Sequence, residues 1–147
     1  MLLEALTAFN LLFAGVLAGV EIAVHYGFRG PIEALEEQPQ IRLRQHAVRR
    51  LRVLVPAIFA PMALSGIALT AIDDAGRPFR LVGLIAVALW ILIRVVGTIR
   101  INKATLAWDP AAPPADWREQ LSRVERFHVF GTWAALIAFA SLLAAAL

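Results

Sequence analysis

Apolar residues fall into four blocks, Leu2–Val24, Val53–Ile72, Leu81–Ile101 and Phe127–Leu147, separated by segments rich in charge, glycine and proline. Each block has close to the ~20 residues that carry a helix across a bilayer core. Backbone amides in hydrocarbon must be satisfied within their own segment, so all four are expected to be helices. No strand-like alternation competes, and no internal repeat stands out. The pattern predicts an all-α, four-helix transmembrane bundle in one domain over residues 1–147, with spans at about 2–25, 53–72, 81–101 and 127–147.

The polar exceptions inside the blocks are themselves periodic. Glu21 and His25 are four apart, hence on one helical face, and the same face runs back through Leu17 or Ala18 and Ala14 to Asn10. Block three carries Trp90, Arg94, Thr98 and Asn102 at intervals of four. A carboxylate facing hydrocarbon costs ~2.5–3.5 kcal/mol on insertion scales, so Glu21 requires a partner inside the bundle. Arg94 lies at matching depth, and an ion pair between the two is expected. Gly15 and Gly19 form a small-xxx-small pair that predicts a close helix approach, as do the alanines of block four.

The connections read as follows. Gly30-Pro31 marks a turn. Pro39 opens a helix that runs without a breaker through Gln40–Arg52 into block two, ending at Ile72 and bent at Pro56 and Pro61. The short turn Asp73–Pro78 makes spans two and three antiparallel neighbours. The proline-rich loop from Trp108 to Ala115 is stiff and non-helical, and Asp116 caps a helix running through block four. Spans two and four thus carry extensions that pack as a cap.

Charge sets the orientation. The first loop holds Arg29, Arg42, Arg44, Arg49, Arg50 and Arg52, and the third holds Arg100, Lys103, Arg118, Arg123 and Arg126; the second has only Arg77 and Arg80, and nothing basic precedes span one. The positive-inside rule puts loops one and three in the cytoplasm and both termini outside, in the cell (inner) membrane. Tyr26, Trp108 and Trp117 then lie at the cytoplasmic interface as aromatic anchors. The first block carries no Lys or Arg ahead of it and no small-residue cleavage site, so it reads as a retained helix.

Composition narrows the chemistry. A hydrophobic fraction of 60% suits a membrane protein, and the +3 net charge comes from residues flanking the spans, which excludes nucleic acid as a partner. With no cysteine there is no thiol chemistry, and hydrolase, ATPase and nicotinamide motifs are missing. Glu21, His25, Arg94 and His128 gather towards the cytoplasmic end with Asn102 nearby, a site signal in a bundle. Glu21, His25 and His128 have the donor set of a two-histidine, one-carboxylate metal site, and His25 with His128 that of a haem. An i, i+4 pair alone is weak evidence for metal, and no haem-attachment motif exists, so a site without cofactor is favoured. His46, in a basic run, reads as a solvated face near anionic lipid, and Trp90 and Trp133 as packing residues.

The stretch from Ile101 to Leu147, with His25–Leu35 and Arg50–Leu69 upstream, resembles the anthrone oxygenase-like family of small four-span membrane proteins. The most specific parts are Ile101-Asn102-Lys103, Trp108-Asp109-Pro110 and Asp116-Trp117. The resemblance implies oxidation of a lipophilic aromatic substrate by dioxygen without a classical cofactor. It points to Glu21 or His25 as base, Arg94 as cation for the developing oxyanion, and Asn102, Trp90, Trp108 and His128 as substrate contacts. The family pattern has an arginine before the Thr-Trp of span four; here that position is Gly131, as if the cation had moved to Arg94 on span three. The alternative is a non-catalytic integral-membrane subunit or scaffold whose polar cluster is helix glue, with a second copy or a membrane-complex component as partner. A transporter ranks third, since four short spans lack the discontinuous helices of carriers.

Overall fold

The computed structural model describes residues 1–147 and contains no strand. Helix α1 (Leu2–Ile22) passes into a π-helical turn, Ala23–Gly27, and a short α2 (Arg29–Glu33). Helix α3 (Glu37–Ile72) turns through residues 73–76 into α4 (Arg77–Ile93), which continues as a π-helical stretch, Arg94–Ile99, and α5 (Arg100–Thr105). After the loop 106–116, α6 (Trp117–Ala144) closes the chain. Four helical rods, Leu2–Glu33, Glu37–Ile72, Arg77–Thr105 and Trp117–Ala144, are long and apolar enough to cross a membrane. The chain is an all-α four-helix bundle and a multi-pass membrane protein.

The core follows the predicted stripes. Asn10, Ala14, Leu17, Ala18 and Glu21 are the buried residues of α1, in the order the i, i+4 pattern demands. Ala14 and Leu17 share one core with Ile58 and Met62 of α3, Ala86, Val87 and Trp90 of α4, and Ala134, Ala135, Ala138 and Leu142 of α6. Around the bundle the order is α1, α3, α4, α6, and α3 with α4 is the most lightly packed side. The two helices adjoin at their short turn, as expected, yet share little surface beyond it.

The extensions of α3 and α6 pack together as expected, and their contacts revise the role of the tryptophans. Ile41, Trp108, Trp117 and Leu121 form a small separate core. Trp108 and Trp117 are therefore buried inside the cap and do not anchor at a lipid interface. Gln45 of α3 donates through Nε2 to the carbonyls of Thr105 and Trp108, both at 2.9 Å, supplying partners that the end of α5 leaves unmade. Trp117 Nε1 donates to Glu37 Oε2 at 3.2 Å.

Several local expectations change. Gly30-Pro31 lies within α2 and makes no turn; Pro31 falls in a first turn, where its missing N–H costs nothing. Helix α3 starts at Glu37, two residues before Pro39, and continues through Pro56 and Pro61. The third rod runs past the expected end of its span to Thr105, so Asn102 stands within a helix. Asp116 is the N-terminal flanking residue of α6, but its carboxylate accepts from the Gln120 side chain and caps no backbone amide. Gly15 and Gly19 do not mediate a tight crossing: a methyl at Gly15 would meet the Phe139 ring at an ordinary 3.4 Å, and one at Gly19 nothing within 4 Å. The close approaches belong to Gly83, where a methyl would stand 2.9 Å from Leu142, and to Gly97, where it would stand 2.1 Å from the Phe127 ring. Trp133 is 56% exposed on the outer surface of the bundle and takes no part in the core packing expected of it.

The end that carries both termini is closed. Asn10 Nδ2 donates to the Met62 carbonyl at 2.7 Å and to Ser65 Oγ at 2.8 Å. Arg80 was assigned to a loop by the pattern; it is 4% exposed, pairs with Asp73, and donates to the Asp73 carbonyl at 2.8 Å. Gly76 has φ +69°, and a Cβ there would lie 2.4 Å from the Ala145 carbonyl oxygen, so only glycine fits the turn beneath α6.

Candidate functional site

At the opposite, basic end the helices enclose a cavity of about 630 Å3. Its walls are the faces of α3 and of the α4–α5 rod that fail to meet, completed by α1 and α6. The spacing-of-four stripe is one wall: Trp90, Arg94, Thr98 and Asn102 all line it. Val55 and Phe59 face them from α3, with Glu21 from α1 and His128 from α6. A volume of this size lies within the ~300–1,000 Å3 typical of small-molecule sites.

Glu21 and Arg94 form the predicted ion pair, with Arg94 Nη2 on the Glu21 carboxylate. Trp90 Nε1 donates to the same carboxylate at 3.0 Å. Glu21 is 2% exposed, so Arg94 balances its charge and the Trp90 N–H adds a hydrogen bond, both from the third rod. Arg94 also stacks over the Trp90 ring, 5.4 Å from its centroid, and Phe59 closes on that ring from α3 at 5.5 Å. Its other terminal nitrogen lies 3.0 Å from His128 Nδ1. Guanidinium only donates, so Nδ1 accepts and the imidazole is neutral in this arrangement.

The backbone is adapted to this wall. The π-helical turn begins at Arg94 itself, and the matching one on the first rod holds His25. Single π turns re-aim side chains and recur at functional sites. Gly97 lies inside the second, where its missing side chain leaves room for the Phe127 ring. Gly131 lies beside Arg94, with a would-be methyl 3.7 Å from the guanidinium.

His25 does not share this site. It is 5% exposed and turns to Glu125 of α6, with Nδ1 3.8 Å from Oε2 and no hydrogen-bond partner. Glu125 is bound by Arg44 of α3 at 3.0 Å. This His25–Glu125–Arg44 group joins three rods below the Glu21–Arg94 pair. Sequence reading missed both Glu125 and Arg44, because each lies in a charged, amphipathic extension where surface residues are the rule. The signal was Glu125 within Val124–His128, next to buried Leu121 and Val124 at helical spacing.

The donor set considered for metal is not brought together. No three His, Asp or Glu side chains converge in a way that could hold an ion. Arg94 stands between Glu21 and His128, and His25 faces another carboxylate. For haem, His25 is turned to Glu125 and His128 is held by Arg94. Of the expected substrate contacts, Trp90, Asn102 and His128 line the cavity and Trp108 does not. His46 is exposed, as expected of a solvated basic face. No protein-family model, no curated protein and no solved structure matches this chain.

Proposed function

We propose that this chain is an anthrone oxygenase-like membrane enzyme whose cavity takes a lipophilic aromatic substrate at the cytoplasmic side of the membrane and oxidises it with dioxygen. The observation that carries this reading is the wall of the cavity where Glu21, Arg94 and Trp90 meet. It joins a carboxylate, a fixed cation and an aromatic face in a site walled mainly by hydrocarbon. The guanidinium beside Gly131 stands next to the place where the family resemblance expects an arginine, which supports the same reading.

The chemistry asks little of the protein. In an anthrone the methylene lies between two aromatic rings, opposite the carbonyl of the central ring, and is acidic at carbon because its carbanion delocalises onto that oxygen. Glu21 accepts its proton and Arg94 stabilises the resulting enolate oxygen. The enolate reduces dioxygen and forms a carbon–oxygen bond at the same carbon, giving a hydroperoxide once protonated. Loss of water leaves a carbonyl: one methylene and one dioxygen become one carbonyl and one water. His25, which lies off the cavity, takes no part in this scheme, so the base is Glu21 alone.

The test is oxygen uptake by the purified protein in detergent with an anthrone as substrate. Quinone is expected to form mole for mole with oxygen consumed, well above the protein-free rate, and Glu21→Gln is expected to abolish the excess. Equal rates with and without protein would overturn the proposal. A second reading has a specific observation in its favour: Arg94 and Trp90 already hold the Glu21 carboxylate, as helix glue in a non-catalytic subunit or scaffold would. That reading requires the Glu21→Leu/Arg94→Leu double variant to keep every function of the chain.

A further inference from the structure

The charges lining the cavity do not cancel. Two carboxylates reach it, Glu21 and Glu125, and each is held by an arginine of its own, Arg94 and Arg44. Arg29, at the rim, is paired with Glu33 at 2.9 Å. Arg52 of α3 and Lys103 of α5 line the same cavity and take part in no ion pair. They stand on the two walls that fail to meet, and both are exposed. Farther along the same walls, towards the bundle centre, the lining is Val55, Phe59, Trp90 and Ile91. The slot is therefore graded: two unpaired cations at the basic end, and towards the interior an apolar and aromatic lining around the internally paired Glu21 and Arg94.

The open side of this slot faces the surroundings of the bundle. Val95 and Ile99 line the cavity and are exposed, so the gap between α3 and the α4–α5 rod opens on the outer surface of the bundle. This opening runs along the helices, with the two unpaired cations at its basic end.

We propose that the cavity selects a lipophilic anion, a compact apolar or polycyclic acid whose anionic group sits between Arg52 and Lys103 while its body lies against Trp90 and Phe59. The volume favours one compact body over a two-chain phospholipid. This deepens the proposed function by naming the charge of the substrate class, and it rests on that reading only in treating the cavity as the substrate site.

Binding is measured by saturable energy transfer from tryptophan to pyrene in phosphatidylcholine nanodiscs. The probes share one apolar body: pyrenebutyrate, its neutral amide and the corresponding quaternary ammonium. Pyrenebutyrate is expected to bind about tenfold tighter than the amide, with the ammonium weakest. Because Arg52 and Lys103 are exposed, Arg52→Gln/Lys103→Gln is expected to fold normally, to bind the amide as before and to lose the preference for the acid. Equal binding of the three probes, or a preference that survives the double variant, would overturn the proposal. So would loss of pyrenebutyrate binding when phosphatidylglycerol replaces phosphatidylcholine, since the occupant would then be a phospholipid headgroup. Selective anion binding without oxygen uptake sinks the oxygenase reading alone; oxygen uptake that is indifferent to substrate charge sinks this inference alone.

Discussion

Two arginines on the third rod, Arg80 and Arg94, sit at opposite ends of the bundle and do different work. Arg80 reaches back to the end of α3, pairs with Asp73 and donates to the backbone carbonyls of Leu69 and Asp73. All of its partners belong to one turn, and the helices around it are closed. Arg94 is divided among three rods, holding Glu21 of α1 and His128 of α6 while stacking on Trp90 of its own helix. On its remaining side is the cavity. A buried arginine whose partners are the backbone and a turn carboxylate finishes a fold. One whose partners are side chains on separate helices, at the edge of an unfilled space, ties those helices together and shapes a cavity wall.

Breaking each arginine sharpens the contrast. The largest effect is expected from Arg94→Leu, which strands the Glu21 carboxylate and costs about 3–5 kcal/mol. Glu21→Leu/Arg94→Leu is expected to recover much of that in a thermal or denaturant melt in detergent. A double variant no more stable than Arg94→Leu would show that the pair is not the unit it looks to be. Arg80→Leu is expected to cost less, about 1–3 kcal/mol, because the carbonyls it leaves lie at a helix end and Asp73 can reach solvent. It is expected to leave pyrenebutyrate binding unaltered, whereas Arg94→Leu changes the cavity wall itself.

A smaller effect separates the two ends by pH. The Arg80 hydrogen bond, opposed by burial and helped by the Ala75 amide, holds the Asp73 carboxyl below the usual carboxylate value. A group depressed on folding adds stability above its unfolded-state pKa and loses it as pH falls through the folded value. The melting temperature of the native chain is therefore expected to exceed that of Asp73→Asn at neutral pH, and the difference to close as pH falls below the ordinary carboxylate range. A difference that is constant with pH would remove the Asp73 charge from the account. The smallest effect is expected at Gly131→Ala. The new methyl makes an ordinary contact 3.7 Å from Arg94, and alanine favours the helix by up to ~1 kcal/mol, so stability should hold or rise slightly. A marked loss there would mean that Arg94 needs more room than this geometry gives it.

The candidate site was legible where polarity interrupts an apolar span. Glu21 and Arg94 were conspicuous because charge in hydrocarbon is expensive, and their pairing followed from depth. Glu125 and Arg44 were not, since a carboxylate among the charges of a helical extension looks like any solvated residue until the neighbouring helix covers it. Trp108 and Trp117 were misplaced for a related reason: an aromatic near a span end suits a lipid interface and a buried cap equally well. Gly15 and Gly19 carried a motif, yet the tight contacts fell to Gly83 and Gly97, because which glycine meets a neighbour depends on how each rod is rotated.

By itself the sequence determined the four rods, their order and the faces they bury, because bilayer length and the helical spacing of Asn10 and Glu21, and of Trp90 and Arg94, are local properties of the chain. It also determined that Glu21 needed a cation, since desolvation acts on each residue separately. Only the tertiary structure decided that His25 turns to Glu125 and away from Glu21, that Arg94 lies over Gly131, and that α3 and the α4–α5 rod stand apart to leave a cavity. Those outcomes depend on π turns and on the axial rotation of packed helices, where a change of one residue in register sends a side chain to a different neighbour.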